Sequence, residues 1–233
     1  MRTSPTRWHP CVDRDALDRA ALEAIRGAAR DAIAARGVFH LVLAGGATPQ
    51  GAYRKLCASA TDFTAWQFYF GDERCLPPQD AERNSQMARD AGFAAPRVSN
   101  AQFHVIAAEL GPGEAARRYA ELLAGVPEFD LVLLGLGEDG HTASLFPGHP
   151  WGDDAASADV LAVSDAPKPP PLRVSLSSAR LSRARAVYFM VDGEGKRAAV
   201  SAWRAKAFIP ARSIAPPGGV DVLVSAALLQ AQR

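Results

Sequence analysis

The sequence predicts an α/β protein: a single domain, residues 1–233, on a doubly wound, mostly parallel sheet with helices on both faces. Three observations predict it. Strand-like and helix-like segments alternate along the 233 residues. The plainest strand, Leu131 to Leu134, is a continuous apolar run of the kind that is buried. Several strands stop at glycines followed at once by polar residues, the arrangement expected where ligands bind beyond the carboxyl ends of a parallel sheet.

The elements follow in order. Ala16 to Ala35 has helical spacing of Ala, Leu, Glu and Arg, with Gly37 as its stop. Val38 to Leu43 is a short apolar strand. Gly45-Gly46-Ala47-Thr48-Pro49 is the turn after it, where Thr48 suits the cap of a helix and Pro49 its first position; that helix reaches about Ser59. Trp66 to Phe70 is a second strand, Glu82 to Ala91 a helix, Gln102 to Ile106 a short strand and Gly113 to Ala124 a helix. After the strand at Leu131, strands are expected at Asp159–Val163, Leu172–Leu176 and Ala186–Val191, with an exposed proline loop at 166–171. Lys196 to Lys206 reads as a helix and Val220 to Val224 as a last strand before a C-terminal helix. There is no internal repeat, and the proline run is too short to divide the chain.

Composition narrows the partners. Lys and Arg number 26 and Asp and Glu 25, a net charge of +1, which gives no basic face for nucleic acid or an anionic membrane. No stretch approaches the ~20 apolar residues of a membrane span. Cys11, Cys57 and Cys75 form no CxxC pair, and the N-terminus lacks a signal peptide's apolar core, so a cytoplasmic protein is expected. With no coiled coil or apolar surface stretch, the expected state is a monomer or weak homodimer.

Four constellations could carry chemistry. Gly45, Gly46 and Thr48 combine close backbone approach with a helix N-terminus, a ready anion site; a plain strand-to-helix turn is the other reading, and neither a P-loop nor a GxGxxG turn is present. Asp72-Glu73-Arg74, with Asn84 ten residues beyond Arg74, ends an apolar strand; the arginine can grip phosphate through two hydrogen bonds, or the charges can simply pair in a solvated loop. Asp139 and His141 lie in the segment Gly135 to Gly148. His141 suits a general base; with His149 the pair could also ligate metal, though without HExxH spacing. Arg173 and Lys196 sit near strand ends and could complete a phosphate pocket or stand on the surface. Ser144 lies in no GxSxG elbow, which leaves a serine hydrolase unsupported.

In order and spacing, Gly45-Gly46-Ala47-Thr48-Pro49, Asp72-Glu73-Arg74-Cys75-Leu76-Pro77, Gly135 to Gly148 and Lys196 resemble the 6-phosphogluconolactonase family, which is related in fold to glucosamine-6-phosphate deaminase. The resemblance spans about residues 40 to 205. It implies hydrolysis of 6-phospho-D-glucono-1,5-lactone in the pentose phosphate pathway, without metal or organic cofactor. It implies His141 as general base, Asp139 orienting it, Asp72 holding Arg74 or a sugar hydroxyl, and Gly45, Gly46, Thr48, Arg74, Asn84, Arg173 and Lys196 around the sugar phosphate.

Two other readings compete. The related amino-sugar-phosphate deaminases and isomerases carry a glutamate for ring opening where this chain has Phe146, and a phenyl ring relays no proton. A non-catalytic sugar-phosphate sensor would need a DNA-binding element, and the first 35 residues hold one long helix and no helix-turn-helix pattern. The chain departs from the family in the serines of Arg173-Val174-Ser175-Leu176-Ser177-Ser178 and in Arg83-Asn84, where Ser-Asn is usual, so no substrate contact is assigned to position 83.

Overall fold

The computed structural model describes residues 5–94 and 96–230. In chain order it runs β1 (Thr6–Cys11), α1 (Arg14–Arg36), β2 (Phe39–Leu43), α2 (Ala47–Ala58), β3 (Trp66–Phe70), β4 (Asp72–Arg74), α3 (Asn84–Asp90) and α4 (Pro112–Leu123). There follow β5 (Phe129–Gly135), β6 (Val160–Val163), β7 (Arg173–Leu176), α5 (Ser178–Ser182), β8 (Ala184–Val191), α6 (Arg197–Arg204) and β9 (Val220–Ser225).

The main sheet has the order β1-β9-β8-β5-β2-β3, and every pair in it is parallel. Its central strands are buried along almost their whole length, β5 from Phe129 to Leu134, which is why they read as apolar runs rather than alternations. From β2 the chain winds outward to β3, whereas from β5 it winds the other way through β8 to β9. The switch point therefore lies between β2 and β5, and the crevice beyond their carboxyl ends is where such a sheet opens a site.

α1 packs on this sheet against β2, β5, β8 and β9. Leu17, Ala21, Ile25, Ala29 and Ala32 recur at helical spacing and are its buried stripe. Asp13 caps it by accepting from the Ala16 N–H, and Gly37, at φ +74°, ends it with an N–H to the Ile33 carbonyl. α4 lies against a second, antiparallel sheet in the order β4-β7-β6. The Tyr119 hydroxyl ties α4 to the end of β3, accepting from the Phe70 N–H at 2.9 Å. Leu176 N–H donates to the Gly71 carbonyl, which joins the small sheet to the end of β3.

Several expectations are corrected. Residues 6–11 form a strand, not the approach to a helix; β1 pairs only with β9, so its outward positions are polar and its pattern is not apolar. Asp72–Arg74 and Ser178–Ser182 are elements too short for a periodic signal. Gln102–Ile106 is no strand: Asn100–Gln102 is a 3₁₀ turn, and Phe103 makes a single bridge to Phe68. Lys196 ends a 3₁₀ turn before α6, and Ala226–Leu229 after β9 is also 3₁₀. Gly46, not Thr48, is the N-cap of α2; its φ of +95° turns the chain two residues earlier and makes Thr48 the second helical residue.

Candidate active site

A cavity of about 370 Å³ opens at the switch point. Gly45, Gly46 and Thr48 line it from the end of β2 and the start of α2, and Asp72 and Arg74 from β4. Asn84, His141, Arg173 and Lys196 complete its wall. The structure thus brings together every residue that the family resemblance places around the substrate except Asp139, which stands behind His141 rather than on the cavity surface.

The three residues of β4 divide by strand alternation. Asp72 and Arg74 face the cavity, while Glu73 points into the protein and is fully buried. The Glu73 carboxylate accepts from the N–H groups of Asn84 and Ser85 at 2.7 and 2.9 Å, capping α3, and lies 3.3 Å from Arg83 Nε. Arg83, 2% exposed, also donates to Glu109 and to the carbonyls of Leu76 and Ile106. Position 83 is therefore structural in this chain, with its donors turned away from the cavity.

Asp72 does not hold Arg74. Its Oδ1 accepts from Asn84 Nδ2 at 2.9 Å and its Oδ2 from the Ser144 hydroxyl at 2.6 Å. Ser144 is oriented in turn by its N–H to Ser175 Oγ. Arg74 instead donates to the Glu82 carbonyl, and its buried Nε has no hydrogen-bond partner among the described residues.

His141 follows a tight turn after β5. Gly137 N–H donates to the His141 carbonyl at 2.7 Å, Gly140 N–H to the Gly137 carbonyl, and Thr142 Oγ1 to the Gly135 carbonyl. A Cβ on Gly137 would lie 1.9 Å from His141 Nδ1, so only glycine lets the imidazole lie against the backbone here. Ala143 closes the turn at φ +47°, a strained value for a residue with a Cβ. Phe146, fully buried, packs against the imidazole with ring centroids 4.8 Å apart and the planes tilted by 43°.

His141 Nδ1 lies 2.5 Å from Asp139 Oδ1. Burial pushes the His141 pKa below its ordinary value; Asp139 opposes this, the nearby Lys168 charge adds to it, and Asp72 opposes it weakly. Asp139 moves the other way from its own burial: the bond and charge of His141 outweigh desolvation and keep its carboxyl below the usual range. Both shifts favour neutral imidazole beside carboxylate, and a carboxylate at Nδ1 accepts from the tautomer that carries its proton there and leaves Nε2 basic.

The cationic wall is unequal. Lys196 is half-buried and its ammonium is unpaired among the described residues. Arg173, read either as a phosphate contact or as a surface charge, is 5% exposed, lines the cavity and clamps the proline loop, its Nε and Nη2 donating to the carbonyls of Lys168, Pro169 and Pro170. The start of α2 has no side-chain cap, which leaves first-turn N–H groups directed at the cavity.

Sequence reasoning missed Ser144, Asp192 and Arg14. Arg14 Nη2 donates to the Ala47 and Thr48 carbonyls, both at 2.6 Å, and its Nη1 lies 3.3 Å from Asp192, which lines the cavity. Nothing in the local sequence signals these contacts between distant segments. Asp139, His141 and His149 do not converge: His149 turns to the Pro147 carbonyl and Asp165, and among the described residues no three His, Cys, Asp or Glu gather as for a metal.

Residues 12–223 match the family described as glucosamine-6-phosphate isomerases/6-phosphogluconolactonase. The chain belongs to this family. A 6-phosphogluconolactonase of Streptomyces coelicolor is 37% identical over 207 residues, covering 81% of this chain and 79% of that protein. Among solved structures, 6-phosphogluconolactonase from Trypanosoma brucei superposes with a TM-score of 0.82 at 26% identity, covering 97% of this chain and 98% of that one. A monomeric glucosamine-6-phosphate deaminase superposes with a TM-score of 0.79 at 21% identity, covering 96% of this chain and 100% of that one, so the fold is shared across both branches of the family. Among the described residues, no helix is long and apolar enough to cross a membrane.

Proposed function

We propose that this chain, as one domain, hydrolyses 6-phospho-D-glucono-1,5-lactone to 6-phospho-D-gluconate. The observation that carries the reading is the His141–Asp139 pair at the rim of a cation-lined cavity, with Phe146 against the imidazole. The phosphate is held by the N-terminal N–H groups of α2 with Arg74 and Lys196; the unpartnered Nε of Arg74 is a donor awaiting an acceptor. Arg173 acts on the substrate indirectly, by holding the proline loop against the cavity. Asp72, fixed through both oxygens, presents an acceptor to a sugar hydroxyl.

His141 Nε2 takes a proton from water as the water oxygen attacks the lactone carbonyl carbon. Asp139 stabilises the imidazolium so formed and fixes the tautomer. Charge builds on the carbonyl oxygen, where the fixed cations and N–H groups of the cavity lower its energy. As the intermediate collapses, the bond from the carbonyl carbon to the ring oxygen breaks and Nε2 returns its proton to that oxygen. The product is an open-chain acid, which ionises to solvent.

Phe146 favours this reading over deamination or isomerisation, since proton relay in ring opening needs an acid or base at that position, and the lactone needs only attack at an existing carbonyl. The three cysteines, all free, suit a reducing cytoplasm. The test is to generate the lactone in situ and follow its decay with the unaltered protein, with His141→Asn and in buffer. Fast decay with the unaltered protein alone supports lactonase and base together; decay at the buffer rate with all three overturns the reading.

A further inference from the structure

A second cavity, of about 390 Å³, lies between β1 and the end of α6 and shares no lining residue with the first. Its volume falls within the range of small-molecule sites. Trp8, Trp203, Arg204, Lys206 and Arg212 line it, and no carboxylate does. Arg204 donates to the Leu229 carbonyl and Arg212 Nη1 to the Lys206 and Ala207 carbonyls, but none of these three cations meets a carboxylate among the described residues, whereas Arg7 pairs with Asp221, Arg185 with Glu128 and Arg197 with Glu194. Like charges left unpaired around one concavity repel one another and create a local positive potential that an anion relieves.

Lys206 sharpens the point. It follows α6 at φ +62°, with its N–H on the Trp203 carbonyl and the Ala207 N–H on the Ala202 carbonyl. Glycine is the residue this helix ending favours. A lysine there strains the backbone, and its ammonium finds no partner in the fold among the described residues. The two indoles pack edge to face, centroids 5.6 Å apart at 72°, and offer apolar aromatic wall beside the cations.

We propose that this cavity is a second anion site, which takes a phosphate monoester carried on an aromatic body, a nucleoside 5′-phosphate being its best chemical match. Arg204, Lys206 and Arg212 hold the phosphate, and the half-buried Trp8, backed by the buried Trp203, supplies the surface against which a base packs. Calorimetric titration of the full chain with adenosine 5′-monophosphate, ribose 5-phosphate and inorganic phosphate tests it. The nucleotide should bind at one site at least about tenfold more tightly than either other probe. Lys206→Gly should weaken it about tenfold while the melting temperature holds or rises, because the left-handed position is relieved. Arg204→Gln, an exposed side chain, should weaken it similarly, and Arg74→Ala in the first cavity should leave it unchanged. Absence of saturable nucleotide binding, equal binding by Lys206→Gly, loss of binding in Arg74→Ala, or ribose 5-phosphate binding as tightly as the nucleotide would each overturn the proposal.

Discussion

The Ser144 hydroxyl and the Asp72 carboxylate meet at 2.6 Å across 72 residues of chain, both buried. With Asn84 on the other oxygen, the carboxylate is fixed before any sugar arrives. Ser144→Ala removes a buried donor and leaves an acceptor desolvated, at a cost of about 1–3 kcal/mol. Thermal unfolding should register that loss, and kcat/KM for the lactone should fall about tenfold as Asp72 gains freedom.

His141→Asn should lower kcat by roughly 10²–10⁴-fold with KM changed only a few-fold, as expected of a group that acts on a proton in the transition state. Steady-state kinetics on the in-situ lactone separates the two constants.

The acid limb of kcat/KM should have its midpoint below 6.5, the ordinary histidine value, because burial disfavours the imidazolium of His141. The same shift has a stability sign. Protonation opposes the folded state, so the contribution of His141 is complete above pH 6.5 and is lost as pH falls toward its lower folded value. A pH–rate profile with its midpoint above 6.5 would contradict this.

Asp139→Asn removes the charge that draws the His141 pKa upward, and its amide can donate to Nδ1 and favour the wrong tautomer. The acid limb should move to lower pH and kcat should fall by roughly 10²–10⁴-fold. A limb that stays in place would mean that Asp139 does not face the imidazole in solution.

Gly137→Ala places a methyl 1.9 Å from His141 Nδ1, and the ring must swing away. Displacement of a catalytic group by about 1 Å costs on the order of 10²-fold in rate. The melting temperature should change far less than the activity.

Arg74→Ala should raise KM for the phosphorylated lactone about 10–100-fold, the value of a charge-assisted contact. Hydrolysis of unphosphorylated gluconolactone should change little, which distinguishes a phosphate contact from a structural one.

The central sheet was legible because β2, β3, β5 and β9 are buried on both faces and therefore announce themselves as apolar runs. β1 was not, because an edge strand with one partner keeps polar residues and even Pro10 within it. β4 and α5 were too short to show a period. The cavity-lining residues were readable because they stand next to strand-end glycines and in charged clusters. Their partners were not: Ser144 on Asp72, Arg14 on Asp192 and Arg173 on the proline loop are set by tertiary contact. The carbonyls around Arg173 and Arg83 were not legible for one reason: sequence counts a charge, but only packing says what surrounds it.

The pairing of β1 with β9 sets a schedule for the chain as it is made. Thr6 finds its partner in Val220, so β1 can join the sheet only once β9 is in place. Until then β8 has an open edge on that side, since β9 alone joins it to β1. The switch point between β2 and β5 lies two strands away from that flank. Docking of β9, with β1 on its far side, is the step that seals this flank of the sheet.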